Sequence, residues 1–172
     1  MHDFPTILQT ILRGYRLPLR GIHGPAHWAR VWENGLRIAE TTGADPEVVS
    51  LFAVFHDARR FDENDDPGHG LRGGKLAQSL RGSLVHLDDV RFSLLFEACR
   101  LHTDGLTTGD PTLLACWDAD RLDLGRVGIV PLPHRLGTDA ARELLPWAHE
   151  RAKRDCASHD VLDGWSMTIE TR

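Results

Sequence analysis

Cysteine is scarce in this chain, and its few cysteines are poorly placed for a disulfide framework or a thiolate metal site. The 172 residues include only Cys99, Cys116 and Cys156, which are far apart and form no CxxC spacing. Long apolar runs are also missing, because no segment approaches the roughly 18 residues that a membrane-spanning helix needs. The N-terminal residues lack the basic start and apolar core of a signal peptide. We therefore expect reduced cysteines, no membrane partner and a cytoplasmic location.

Basic residues are also fewer than acidic residues. Lysine and arginine together number 20 against 25 acidic residues, which gives a formal net charge of −5. This balance argues against a broad nucleic-acid surface, although a small phosphorylated ligand needs only a local basic or metallic spot. The length fits a single domain over residues 1–172, and a homo-oligomer is equally compatible with the sequence.

Alternating strand patterns are lacking, and helical periodicity dominates the chain. In residues 26–42 the apolar positions recur at steps of three and four, with Pro25 in the first turn and Gly43 at the end. Similar patterns predict helices at 46–57, 69–80, 88–102, 110–124 and 138–154. The helix at 69–80 is weaker because Gly73 and Gly74 lower its propensity. Residues 161–169 are too short to assign, beyond a packed tail that carries Trp165. The pattern predicts an all-α fold.

The polar pair His56-Asp57 directly follows the apolar run at residues 51–55. Burying such groups without partners is costly, and a divalent metal ion satisfies both at once. Imidazole and carboxylate ligands together suit Mn, Fe, Zn, Ni or Mg. Neighbouring residues on a helix diverge by about 100°, so the pair can point into one site only at a helix end or when it bridges two metals. Further candidate ligands flank the pair: His23, His27, His69, His102, Asp118 and Asp120.

Four of these residues occur along the chain in the order of a known sequence signature. His27, then His56-Asp57, then Asp120 within Ala119-Asp120-Arg121-Leu122 resembles the H…HD…D signature of the HD-domain metal-dependent phosphohydrolase superfamily. The resemblance covers roughly residues 21–128 and leaves a C-terminal helix and tail at 129–172. It implies an all-α bundle of about six to eight helices. It also implies metal ligation by His27, His56, Asp57 and Asp120, with one or two divalent ions per chain.

Other sequence features indicate which group of HD-domain proteins the chain resembles. The chain has no Gly-Tyr-Pro after a second HD pair, which is unlike the phosphodiesterases of cyclic dinucleotides. It is also too short for the synthetase domain of stringent-response enzymes. His69 and His102 lie between the HD pair and Asp120, where some relatives have histidines that complete a second metal site or contact phosphate. The chain is thus similar to small standalone bacterial HD proteins, and many superfamily members hydrolyse phosphate esters or nucleotides.

A mechanism follows as an expectation from this resemblance. The metal would activate a water molecule, and Asp57 would hold or deprotonate it. Arg60 or Arg121 would neutralise charge on the phosphoryl group, and His69 or His102 would protonate the leaving oxygen. Asp118 is interpreted as an ordinary polar helix residue because Asp120 fits the motif better.

Two other functions remain as alternatives at this point. One is a non-catalytic, metal-containing helical module for binding or sensing, in which protein ligands would close the coordination sphere. The other is an HD-type di-iron oxygenase, which the histidine-rich set permits. His23 lies in a glycine-flanked turn, and its role is left open.

Overall fold

The computed structural model describes residues 2–155 and 159–166, and within these ranges the chain is helical with no strand. This confirms the all-α prediction, and the number of helices lies within the expected six to eight. Every helix of the described residues is too short or too polar to span a bilayer. Two short 3-10 turns, Leu124–Val127 and Pro133–Arg135, separate α6 from α7. The α-helices are α1 (Phe4–Leu12), α2 (Pro25–Thr42), α3 (Pro46–Phe55), α4 (His69–Ser79), α5 (Asp89–Leu101), α6 (Pro111–Arg121), α7 (Asp139–Lys153) and α8 (His159–Gly164).

Helices α2 to α7 agree with the sequence prediction to within three residues at each end. Helix α1 was not predicted, although Asp3 caps it and the apolar residues Ile7, Leu8 and Ile11 are buried on one face. Helix α8 begins just before the unassigned segment 161–169, of which residues 167–169 lie outside the described residues. Trp165 is only 3% exposed, so the expected packed tail is seen there.

Aspartates and prolines set the starts of several helices. Asp45, Asp88 and Asp110 each accept hydrogen bonds from amides of the first turn of α3, α5 and α6. Proline occupies the first turn of α2, α3 and α6, where its missing N–H carries no cost. Gly43 ends α2 in the left-handed conformation, with φ at 73°. Local sequence therefore fixes where these helices begin and where α2 ends.

Helix α3 runs through the centre of the molecule. All of its residues from 48 to 55 are buried, and it packs against α2, α4, α5 and α6. The large side chains of Trp28 and Trp117 fill the core on the α2 and α6 sides, at 0% and 1% exposure. His56-Asp57 therefore follows a helix that is buried on all sides from residue 48 onward. Any partner for these two polar groups must come from the surrounding helices.

Helix α4 approaches its neighbours closely at Gly70 and Gly73, which have no side chain. A Cβ atom at Gly73 would lie 2.1 Å from the carbonyl oxygen of Phe55, and one at Gly70 would lie 2.1 Å from that of Cys99. Both distances are far below van der Waals contact, so neither position accepts a side chain without movement of backbone. The close approach brings the start of α4, with His69, beside the ends of α3 and α5.

Candidate metal centre

Four histidine side chains converge on Asp57 where α3 ends. His27 lies in the first turn of α2, His56 caps the C-terminus of α3, His69 begins α4, and His102 caps the C-terminus of α5. None of the five residues is more than 6% exposed. The helix-end position expected for His56-Asp57 is therefore what the structure has, and both side chains face the same cluster.

One half of the cluster, here called the first lobe, consists of His27, His56, Asp120 and one oxygen of Asp57. The Nε2 atoms of His27 and His56 lie 3.1 Å apart. Oδ2 of Asp57 is 3.6 Å from each of them. Oδ1 of Asp120 is 3.4 Å from His27 Nε2 and 3.9 Å from His56 Nε2. The four residues of the H…HD…D pattern thus come together from α2, α6 and the end of α3.

The other half, the second lobe, consists of His69, His102 and the remaining oxygen of Asp57. Nε2 of His69 is 2.9 Å from Nε2 of His102 and 3.2 Å from Asp57 Oδ1. His102 Nε2 lies 3.9 Å from the same oxygen. Asp57 therefore presents one oxygen to each lobe. Within the described residues, His27, His56 and Asp57 form one group with metal-binding geometry, and Asp57, His69 and His102 form another.

Hydrogen bonds on the far side of each ring determine which nitrogen carries the proton. In all four histidines Nδ1 faces an oxygen that can only accept a hydrogen bond, so Nδ1 is the protonated nitrogen of the neutral ring. Each Nε2 is then left with a lone pair directed into the cluster. The acceptors are Asp123 Oδ2 for His27 at 2.6 Å, Phe52 and Ala53 carbonyls for His56 at 3.2 and 3.1 Å, the Asp66 carbonyl for His69 at 2.6 Å, and the Cys99 carbonyl for His102 at 2.7 Å.

This arrangement fits a divalent cation better than it fits a hydrogen-bonded core. Oδ1 of Asp57 is buried and makes no hydrogen bond, which is costly for a carboxylate oxygen. Facing lone pairs on paired imidazoles repel one another unless a cation or a proton lies between them. Imidazole nitrogens and carboxylate oxygens are a ligand set for Mn, Fe, Ni or Zn. The cluster can therefore hold one metal ion in each lobe.

Burial and neighbouring charges shift the pKa values of several side chains in the cluster towards the protonation states that metal ligands need. Burial lowers the pKa of His56 to about 4, and it also lowers the pKa of His102. Burial alone would raise the pKa of Asp57 and of Asp120, but the surrounding imidazoles outweigh it and hold both pKa values below the usual range. At neutral pH His56 and His102 are therefore neutral and both carboxylates are ionised, the forms that bind metal.

Arg60 lies against the second lobe, as its candidate catalytic role requires. Its NH1 group is 3.0 Å from His69 Nε2 and 3.7 Å from Asp57 Oδ1. The rest of the guanidinium donates hydrogen bonds to the backbone carbonyls of Asp62 and Asn64 at 2.9 and 2.8 Å. The loop that follows Arg60 thus holds its guanidinium in place.

Arg121, the other arginine proposed for phosphate contact, points elsewhere. It donates to the carbonyls of Leu106 and Arg135 at 2.6 and 3.1 Å and lies 3.4 Å from Asp118. Asp118 is fully buried and accepts hydrogen bonds from Gly137 and from Thr138, the residue that caps α7. The two aspartates therefore have different roles. Asp118 connects α6 to the start of α7 through hydrogen bonds, and Asp120 faces the first lobe.

Sequence reasoning missed Asp123, which is 1% exposed and binds both His27 and Arg30. Its signal was available, because a residue three positions after Asp120 lies on the same side of the chain as it leaves α6. His23, whose role was left open, is buried and donates from Nδ1 to Glu63 at 2.5 Å. Burial lowers the pKa of His23 to about 3 and raises that of Glu63. His23 therefore borders the cluster as a neutral ring outside the two metal-binding groups.

Comparison of the chain with protein-family models, with curated proteins and with solved structures gave no match.

Proposed function

We propose that the protein is a metal-dependent phosphohydrolase, which cleaves a phosphate ester or a nucleotide with a metal-activated water molecule. The observation that carries the proposal is the convergence of four Nε2 lone pairs with the carboxylates of Asp57 and Asp120. Oδ1 of Asp57 is buried and makes no hydrogen bond with the described residues. The motif resemblance supports phosphate as the substrate class. The basic side chain of Arg60 at the edge of the cluster is also consistent with an anionic substrate.

In this proposal the bound ion and the side chains of the site have different roles in the reaction. A bound divalent cation supplies a Lewis acid and a water molecule of lowered pKa. Asp57 Oδ1 has a free lone pair that can accept a proton or a hydrogen bond from the attacking water. The guanidinium of Arg60, fixed by loop carbonyls, can donate to a phosphoryl oxygen. His69 and His102 have unprotonated Nε2 atoms, so their geometry supports a ligand role more than the acid role expected from the sequence.

The test is elemental analysis of the purified wild type beside His56→Ala, followed by phosphatase assays with p-nitrophenyl phosphate and a panel of nucleotides. We expect one or two equivalents of transition metal, lost in His56→Ala together with activity. His134→Ala is the matched control, because His134 is an exposed histidine in a 3-10 turn outside the cluster. Absence of metal in the wild type after incubation with Mn, Mg, Fe, Ni and Zn in turn would refute the proposal.

A di-iron oxygenase is the second candidate, and the two-lobed arrangement favours it. The lobes share a single carboxylate, Asp57, and each contains two imidazoles, which are ligands that iron accepts. Iron in both lobes together with oxygen consumption would support this candidate. Activity with redox-inert zinc or magnesium, independent of oxygen, would instead support the phosphohydrolase.

A further inference from the structure

Arg60 carries a permanent positive charge into the second lobe. Its NH1 group lies 3.0 Å from His69 Nε2, 3.3 Å from His69 Nδ1 and 3.7 Å from Asp57 Oδ1. The side chain is only 9% exposed, and arginine has no neutral form in proteins. Two of the three side chains that form the second lobe therefore already face a cation.

Hydrogen bonds to backbone carbonyls fix the position of the Arg60 side chain. Nε donates to the Asp62 carbonyl and NH2 donates to the Asn64 carbonyl, which leaves NH1 directed at the lobe. A guanidinium and a divalent ion that share Asp57 Oδ1 would stand within a few ångströms of each other. Their repulsion is strong even at an effective dielectric constant of about 20.

The first lobe has the opposite electrostatic character. Asp120 adds a second carboxylate beside His27 and His56, and Asp123 places a third behind His27. Two arginines face Asp123, with Arg30 2.6 Å and Arg126 3.8 Å from its oxygens. Arg126 also acts electrostatically on Asp120. The first lobe thus has three carboxylates against two arginines, whereas at the second lobe Arg60 offsets the single carboxylate of Asp57.

We propose that the guanidinium of Arg60 lowers the affinity of the second lobe for a divalent cation. The protein therefore binds one ion tightly in the first lobe and a second ion only weakly in the second lobe, where that ion competes with the guanidinium. The inference rests on the metal site of the proposed function. It concerns the number and affinity of the ions and does not depend on which substrate is cleaved.

The experiment is a titration of the full chain, stripped of metal by a chelator, with Mn²⁺. Calorimetry counts the bound ions, and electron paramagnetic resonance distinguishes an isolated Mn²⁺ from an exchange-coupled pair. For the wild type we expect one tight equivalent and a second at least about 100-fold weaker. In Arg60→Met the second affinity should rise at least about tenfold, with a coupled signal. Arg60→Lys retains the charge and should stay close to the wild type.

Arg72→Met is the matched control. Arg72 also secures the loop, through an ion pair with Asp66 at 2.5 Å, but its hydrogen bonds go to Asp66 and to the carbonyls of Arg59 and Pro67, not to the ligand atoms of the lobe. Its variant should bind Mn²⁺ as the wild type does, which would separate the charge of Arg60 from the order of the loop.

Two equivalents of equal affinity in the wild type would overturn the inference, and this holds even if Arg60→Met fails to fold. A folded Arg60→Met with no gain in second-ion affinity would also overturn it. Two tight ions together with phosphatase activity would leave the proposed function standing and refute only the role of Arg60. Absence of any tightly bound ion would refute both.

Discussion

Nδ1 of His27 lies 2.6 Å from Oδ2 of Asp123, and this carboxylate fixes the ring in the tautomer that directs Nε2 at the first lobe. Arg30 holds Asp123 in turn, with Nε 2.6 Å from Oδ1 and NH2 3.1 Å from Oδ2. The other three histidines of the cluster donate to neutral backbone carbonyls. A carboxylate partner raises the basicity of an imidazole ligand, so His27 should be the strongest nitrogen donor of the set.

Replacing Asp123 should therefore weaken metal binding although Asp123 does not belong to either lobe. In Asp123→Ala we expect the affinity of the first metal to fall about 10- to 100-fold. The variant should also unfold more readily, because the buried guanidinium of Arg30 loses its main partner. Competition with a chelating dye measures the affinity. Asp139→Asn, at a side chain 92% exposed, is the control and should match the wild type. An unchanged affinity in a folded Asp123→Ala would contradict the orienting role.

The aspartates Asp118 and Asp120 should respond in opposite ways to alanine substitution. Asp118→Ala removes three hydrogen bonds of 2.8 Å to Gly137 and Thr138, and we expect a loss of about 3 kcal/mol in unfolding free energy with metal content retained. Asp120→Ala should lose metal affinity and leave the stability of the metal-free protein within about 1 kcal/mol of the wild type. Urea denaturation and elemental analysis of both variants give the comparison. Metal loss in Asp118→Ala at full stability would reverse our assignment.

The helices could be predicted well because their signals are local. Capping aspartates, first-turn prolines and apolar steps of three and four residues are visible in the sequence at α2 to α7. The same signals were present in α1, where Asp3 precedes Pro5 and Ile7, Leu8 and Ile11 form the buried face. The physical information for α1 is therefore local and present in the sequence, although this helix was not predicted.

The candidate site was predicted only in part, for reasons that depend on three-dimensional packing. The ordered motif identified His27, His56, Asp57 and Asp120, which the structure brings together. The direction of Arg60 could not be read from the sequence, because it depends on carbonyl groups of a loop without regular structure. The role of Gly73 was equally hidden: as a helix residue it appears unfavourable, and only the approach of α3 gives a reason for it.

The glycines of α4 give a prediction about packing. Gly70→Ala and Gly73→Ala should each lower the unfolding free energy by about 2 kcal/mol or more, because the added Cβ meets backbone oxygen at 2.1 Å. Gly70→Ala should also weaken metal binding, since its Cβ would lie 2.8 Å from Nδ1 of His102. Gly74→Ala is the control in the same helix: its Cβ would lie 3.2 Å from the ring and 3.4 Å from the carbonyl oxygen of Phe96, well beyond 2.1 Å, and helix propensity favours alanine. Equal urea midpoints for all three variants would contradict the close approach of α4.

Far from the cluster, Arg91 of α5 joins the start of α3. Its guanidinium binds Asp45 at 2.6 and 3.0 Å and Glu47 at 2.6 Å, while His2 lies 2.7 Å from the other oxygen of Glu47. Burial would raise the pKa of Asp45, but the hydrogen bonds from Arg91 and from the helix amides hold it below its usual value. The pKa of Glu47 is lowered in the same way, with Arg91 outweighing burial.

These lowered pKa values predict acid-sensitive stability. Since the folded pKa lies below the unfolded value of about 4, the contribution is fully present above that pH and is lost as the pH falls through the folded value. At pH 7 we expect Arg91→Met to be less stable than the wild type by about 1 kcal/mol, because the pair is partly exposed. In acid, as the pH falls through the folded pKa values of Asp45 and Glu47, the difference should shrink towards zero. Lys153→Met, which breaks an exposed pair with Glu150, should change little at either pH. If urea denaturation instead gave the same deficit for Arg91→Met at both pH values, Arg91 would act through packing of its side chain and not through the two carboxylates.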